Sequence, residues 1–164
     1  NRWYRQFTYT WNTSSPRTDT TLTQGVRITL NSSDAPVIWE ILRDSSGAEI
    51  IYAADSLEFA ARTEFGLPQP GHKFALERAF PENPSLVLAN VISDGPVAMG
   101  PILYLRGETL DVTALICRCM PAQFTDLAAT REYLLRPIPP TAPLADPGFS
   151  PKPLDQRLRL PRQF

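Results

Sequence analysis

The chain has 164 residues, of which 43% are apolar and 20% are charged, a composition typical of one globular domain. Its formal net charge of −1 creates no overall field that would attract nucleic acid or an anionic membrane. No run of about 18 or more apolar residues occurs, which argues against a transmembrane helix. We therefore expect neither nucleic acid nor a membrane among its partners.

The first half of the chain contains several segments in which apolar and polar residues alternate, the pattern of a half-buried strand. Residues 3–11 form such a segment, and four aromatic side chains share one of its sides with Arg5: Trp3, Phe7, Tyr9 and Trp11. Aromatic residues favour the pleated surface of a sheet. Further short strands are predicted at residues 22–30, 37–42, 48–52, 74–80 and 85–92. Residues 55–63 fit either a strand or a helical turn.

The clearest pattern lies in residues 102–119, where Gly107 separates a short strand from a longer one by a turn or bulge. Alternation in the longer strand predicts two sets of side chains on opposite sides: Leu110, Val112, Ala114 and Ile116 toward a core, and Thr109, Asp111, Thr113 and Leu115 away from it. Cys117 and Cys119 lie too close together on this strand for an unstrained disulfide, so we expect reduced thiols. Residues 121–130 are predicted as a short helix and residues 132–136 as a closing strand.

Short strands with frequent turn signals and little helical periodicity predict an all-β protein. The favoured fold is an antiparallel β-sandwich or jelly roll of about eight strands. We assign residues 1–137 to this body.

Residues 138–164 differ from the body because they are rich in proline, which lacks a backbone donor and disfavours both helix and central strand. We predict an extended, proline-rich arm. A merely disordered tail would carry few apolar side chains, whereas this segment has them at intervals. The alternatives are a flexible tail and a strap over its own domain, but we predict that the arm lies along another subunit, with these anchors: Phe149, Leu154, Leu158, Leu160 and Phe164. Deleting residues 138–164 would then leave a folded monomer that no longer assembles.

Catalytic and metal-binding patterns are weak. His72 is the single histidine, and no serine has a recognisable nucleophile motif. Zinc would need ligands beyond two cysteines and one histidine, so we expect neither a metal nor another cofactor. The carboxylates of Glu40, Asp55, Glu58 and Glu64 are spaced as on solvated strand faces and turns.

Two stretches carry a resemblance to a known class of proteins: Asp34-Ala35-Pro36 leading into Val37-Ile38-Trp39, and residues 101–112, with a proline, an apolar run, a glycine turn and a strand. Their order resembles that in the small virion proteins that decorate or cement the capsids of tailed bacteriophages, and in single jelly-roll capsid components. The resemblance implies a non-enzymatic structural protein on the capsid surface of a virion. Its implied partners are other capsid subunits, in a homo-oligomer with a trimer favoured, and a major capsid protein.

Two other functions stay open. A β-sandwich module could bind carbohydrate or a host surface through exposed aromatic rings, with Trp3, Tyr4 and Trp11, or Trp39, as the platform. An enzyme with a paired carboxylate is the least favoured of the three.

Overall fold

The computed structural model describes residues 4–14, 21–42, 47–78, 86–94, 100–106, 111–118, 134, 136–137 and 152–164. Its elements, in chain order, are β1 (Gln6–Ser14), β2 (Thr21–Leu30), β3 (Pro36–Ile41), β4 (Glu49–Ala54), α1 (Asp55–Phe65), β5 (Leu86–Ile92), β6 (Gly100–Leu105), β7 (Val112–Arg118) and α2 (Leu154–Arg157). The predictions for residues 121–130 and most of 132–136 lie outside the described residues.

The described strands form a five-stranded sheet in the order β1-β2-β3-β4-β5 and a two-stranded sheet of β6 and β7. The protein is therefore mostly β, as predicted. The expectation of a wholly antiparallel sheet is wrong, because β4 and β5 are parallel. A parallel pair needs a crossover connection, and α1 supplies it.

Residues 55–63, which the sequence left open, belong to helix α1. Leu57 and Ala61 are buried on one side of the helix, four positions apart as the helical period requires. The backbone N–H and the hydroxyl of Ser56 both donate to the carboxylate of Asp94, just beyond β5. A carboxylate at this end satisfies free N–H groups and complements the helix dipole. The end of β5 thus holds the start of α1.

The short and the long strand predicted on either side of Gly107 are β6 and β7, which pair as an antiparallel hairpin, but the predicted alternation fails in β7. Tyr104 pairs with Ala114 and Leu105 pairs with Val112, so Thr113 is an extra residue on β7. Such a bulge reverses the side of every following residue. Val112 and Leu115 are consequently the buried pair, although Leu115 was predicted to face away from the core.

The register of the five-stranded sheet separates its two faces. Trp39 and Tyr52 are cross-strand partners on one face, and Glu40 and Ile51 are partners on the other. A hydrogen bond joins Tyr52, on the first face, to the backbone of Leu115 in β7. This contact places the β6–β7 hairpin over the first face. Burial beneath the hairpin raises the pKa of Tyr52, and this effect outweighs the opposite effect of the hydrogen bond.

The second face of the sheet is covered by residues 152–164, which we call the C-terminal segment, and by the turn at residues 74–76. Residues 74–78 form this turn and an isolated β-bridge in place of the strand predicted for residues 74–80, of which residues 79–80 lie outside the described residues. The backbone N–H of Arg159 donates to the carbonyl of Leu76 at 2.8 Å, and Glu77 forms an isolated β-bridge with Leu158. The C-terminal segment therefore packs on its own chain.

This placement corrects the prediction of an inter-subunit arm. Leu154, Leu158 and Leu160 belong to the buried core of their own chain, and Phe164 packs against that core. They can do so because no described strand forms a second sheet over this face of the main sheet, which leaves room for the segment. Phe149 and residues 138–151 lie outside the described residues. Residues 152–164 are part of the body and not of an extended arm.

Candidate assembly surface

Strand β1 is the first strand of the five-stranded sheet and, among the described strands, pairs only with β2. Its nine residues stay in register with β2 from Gln6 to Ser14 without a bulge. The sequence Gln-Phe-Thr-Tyr-Thr-Trp-Asn-Thr-Ser contains neither a charged residue nor a proline. Natural edge strands usually carry charges, proline or bulges, which prevent pairing with another chain. β1 has none of these protections.

The opposite edge strand, β5, is less suited to pairing. It has seven residues, and its register with β4 shifts between Ile51 and Tyr52. Regular pairing over a long strand presents an evenly spaced row of backbone groups, whereas a shifted register interrupts that row. β1 is therefore the more regular of the two sheet edges.

The hydrogen bonds to β2 determine which backbone groups of β1 face outward. The N–H of Leu30 donates to the carbonyl of Arg5 at 3.0 Å. Because backbone groups alternate in direction along a strand, odd-numbered residues of β1 bond to β2. Even-numbered residues, including Thr8 and Thr10, consequently direct their N–H and C=O groups away from β2, toward the side on which no described strand pairs with β1; we call this side the open edge.

Close approach of β1 to β2 depends on Gly25. A Cβ atom at this position would lie 2.7 Å from the carbonyl oxygen of Tyr9 and 3.1 Å from Cγ2 of Thr10. The first distance is well below van der Waals contact, so only glycine fits without a shift of the backbone. Gly25 thus allows the continuous pairing of β1 with β2.

Three aromatic residues share one side of β1, and we call them the aromatic row: Phe7, Tyr9 and Trp11. Phe7 is 46% exposed and Tyr9 is 39% exposed, whereas Trp11 is partly buried against the core. Phe7 and Tyr9 lie opposite Ile28 and Val26 of β2. These cross-strand neighbours support the rings while leaving much of their surface open. The open edge of β1 and its aromatic row together form the candidate assembly surface.

The aromatic platform predicted from the sequence is not assembled as expected. Trp3 lies outside the described residues, and Trp39 is buried, with 1% of its surface exposed. Tyr4 packs against Phe164 with 4.8 Å between ring centroids, at the C-terminal end of the chain. Trp11 lies seven positions further along, or about 24 Å in an extended strand. Of the predicted platform, only Trp11 contributes to the aromatic row.

Phe7 and Tyr9, which were not among the candidate site residues, form the exposed part of this row. Their signal was present in the sequence as the aromatic alternation of residues 3–11. Alternation alone predicts that a side of the strand is apolar, but not whether a neighbouring element covers it.

The acidic residues considered for catalysis serve structural roles where they are buried. Glu40 receives two hydrogen bonds from Arg27, at 2.7 and 2.8 Å, and an ion pair from Arg157 at 2.6 Å. Glu58 accepts the backbone N–H groups of Ala75 and Leu76. The expectation that both carboxylates lie on solvated faces is wrong, because each is needed to satisfy a buried donor.

Other candidate residues form no larger site in the described part of the chain. Nδ1 of His72 lies 3.8 Å from a carboxylate oxygen of Glu77. Among the described residues, no group of three or more histidine, cysteine, aspartate or glutamate side chains could hold a metal ion. Cys117 belongs to β7 and Cys119 lies outside the described residues, so the reduced state of both stays a prediction.

Comparison with known proteins found no matching family model, curated protein or solved structure. Neither helix in the described part of the chain combines the length and the apolar character needed to cross a membrane.

Proposed function

We propose that this chain is a non-enzymatic structural subunit of a virion, of the class that decorates or cements a capsid, and that it assembles through β1. The resemblance in residues 34–39 and 101–112 suggests the class. The observation that carries the assembly role is the open edge of β1, nine residues long and free of charge and proline. Such an edge is a template for a strand from another chain.

The proposal thus assigns assembly to β1 and not to the C-terminal segment. Backbone hydrogen bonds at the open edge would each contribute about 0.5–1.5 kcal/mol net. Burial of an aromatic ring such as Phe7 or Tyr9 would add about 1.5–3 kcal/mol if it were complete. One open edge accepts one strand, so it favours pairwise contacts between subunits over the trimer expected from the resemblance.

A sandwich or jelly-roll arrangement is part of this proposal. It is supported by the position of the β6–β7 hairpin, which lies over Trp39 and Tyr52 on one face of the main sheet. Val112 and Leu115 of the hairpin share a buried core with these residues. Face-to-face packing of two sheets around such a core is the sandwich principle.

The proposal is tested by locating the protein. Virus particles are purified on a density gradient from a culture in which this chain is expressed. Immunogold labelling with antibodies against the chain should then mark the surface of the particles. The capsid interior, exposed by controlled disruption of the particles, is the matched control and should stay unlabelled. Finding the chain only in fractions that contain no particles would contradict a virion role.

The aromatic row supports a second candidate function, binding of a carbohydrate or host surface. Phe7 and Tyr9 expose rings on one side of a rigid strand, about 7 Å apart. Exposed rings of this kind stack on apolar faces of sugars and other ligands. Tyr9→Ala should then abolish binding on a glycan array, whereas Thr10→Pro, which removes an outward N–H group and keeps both rings, should leave it intact.

A further inference from the structure

We infer that the strand that pairs with β1 is β1 of a second copy, antiparallel and related by a twofold axis at Tyr9. This inference rests on the proposed assembly function and names the partner at that surface. The resulting dimer would join two five-stranded sheets into one continuous sheet, with the aromatic rows of both copies on the same face.

The backbone geometry permits this register. In an antiparallel pair, residues that exchange two hydrogen bonds alternate with residues that exchange none. Even-numbered residues of β1 have outward N–H and C=O groups, so hydrogen-bonded pairs must join even numbers. An axis at Tyr9 pairs Thr8 with Thr10 of the second copy, and Gln6 with Asn12, which meets this requirement.

The same register pairs every member of the aromatic row with another aromatic ring. Tyr9 faces Tyr9 of the second copy, and Phe7 faces Trp11. All of these are non-hydrogen-bonded positions, where Cα atoms are about 4.5 Å apart and side chains are closest. Aromatic cross-strand pairs stabilise sheets. An axis one residue further on, at Thr10, would pair Tyr9 with Trp11 but would leave Phe7 without an aromatic partner.

The absence of charge also favours a second copy as the partner. Two identical strands with like charges at facing positions repel each other, and residues 6–14 carry none. Arg5 falls opposite residue 13, which is a threonine. On the other face of the sheet from the aromatic row, Thr8 of one copy lies beside Thr10 of the second copy. Small polar pairs of this kind commonly stabilise antiparallel sheets.

The register is tested by disulfide trapping of the full chain with Cys117 and Cys119 both changed to serine. In that background, Tyr9→Cys places two thiols across the axis, within the distance that a disulfide can span. Mild oxidation should convert most of this variant to covalent dimer. Phe7→Cys is the matched control, because its two thiols would lie four positions apart, about 14 Å, and should not cross-link. A mixture of F7C and W11C chains should cross-link.

Association is measured on the unmodified chain by light scattering over a concentration series. We expect the mass to approach twice that of one chain, and we expect Thr10→Pro to remain monomeric because it removes an outward N–H group. Thr10→Val, which keeps the N–H, should still dimerise. A wild-type chain that stays monomeric would overturn the inference, as would a dimer that is insensitive to Thr10→Pro or cross-links equally through Phe7→Cys.

Failure of this inference is distinguishable from failure of the proposed function. If the chain is monomeric in solution but labels virus particles, the proposed function stands and the second copy is the wrong partner. If it dimerises through β1 but is found in no particle, the pairing stands and the virion role is wrong.

Discussion

The two ends of the chain use their side chains in opposite ways. The C-terminal segment carries several charged residues, yet it buries Arg157 and three leucines in the body. Strand β1 carries no charge at all, yet Phe7 and Tyr9 remain about half exposed. Charge in a segment therefore does not decide whether it is buried. The decisive factor is whether the rest of the fold offers partners for its backbone and side chains.

For the C-terminal segment, those partners exist. Arg157, which is 2% exposed, lies 2.6 Å from Glu40 and 3.7 Å from Glu49, and its Nε donates to the carbonyl of Lys152. Because an unpaired buried charge is costly, this cluster fixes where the segment docks. For β1, the described fold supplies β2 on one side and leaves the other side open.

The largest expected effect comes from deleting residues 152–164. The deletion removes three core leucines and leaves Glu40 and Glu49 without Arg157, so the chain should lose its cooperative thermal transition. This expectation reverses the prediction that the truncated chain stays folded. Near-ultraviolet circular dichroism and a thermal melt provide the measurement.

The control for that deletion ends the chain at Arg162, which keeps Arg157 and every buried leucine of the segment. It should melt cooperatively, only slightly below the full chain. Equal melting of the full chain and the longer deletion would show that the C-terminal segment is dispensable, and the contrast with β1 would disappear.

Arg157→Met tests the buried charge separately. The change leaves two buried carboxylates with one cation fewer, and breaking such a pair costs about 3–5 kcal/mol of unfolding free energy. Urea denaturation measures the loss. Arg162→Met is the matched control, because the Arg162 side chain is 86% exposed in its pair with Glu64. A similar loss in both variants would argue against a special role for the buried cluster.

Gly25→Ala tests the other region by forcing β1 away from β2. The added methyl group would lie 2.7 Å from the carbonyl oxygen of Tyr9, and overpacking of this kind costs about 1–3 kcal/mol. Hydrogen exchange should accelerate at β1 amides and stay slow in the C-terminal segment. Thr23→Ser, at an exposed position of the same strand, keeps the hydroxyl that donates to Asn12 of β1 and should leave β1 protected. Uniform acceleration in both regions would indicate that they unfold together.

The smallest expected effect concerns the contact where the two ends meet. Tyr4, just before β1, packs on Phe164 with ring centroids 4.8 Å apart. A double-mutant cycle with Tyr4→Leu and Phe164→Leu should give a coupling energy of about 0.5–1.5 kcal/mol. Tyr9→Leu combined with Phe164→Leu, at positions with no such contact, should be additive. A coupling energy of zero between Tyr4 and Phe164 would show that this contact does not link the stability of the β1 region to that of the C-terminal segment.

Part of the candidate site was accessible from the sequence. The aromatic alternation in residues 3–11 predicts a strand with one apolar side, and the structure places β1 there. The alternation could not show that β1 lies at an edge, since strand order depends on contacts between distant segments. It also could not show that Tyr4 packs against Phe164, at the other end of the chain.

The sequence by itself determined the local elements of this protein, because a period of two and a turn residue are properties of neighbouring positions. Strands β1, β2 and β3 and the β6–β7 hairpin follow from them. Only the tertiary structure decided the bulge at Thr113, the helical crossover α1 and the burial of the C-terminal segment. The burial of the C-terminal segment depends on groups far apart in the chain: Arg78, for example, donates to the carbonyl of Leu158 across 80 positions. Periodicity describes which side chains share a face, and packing decides what that face contacts.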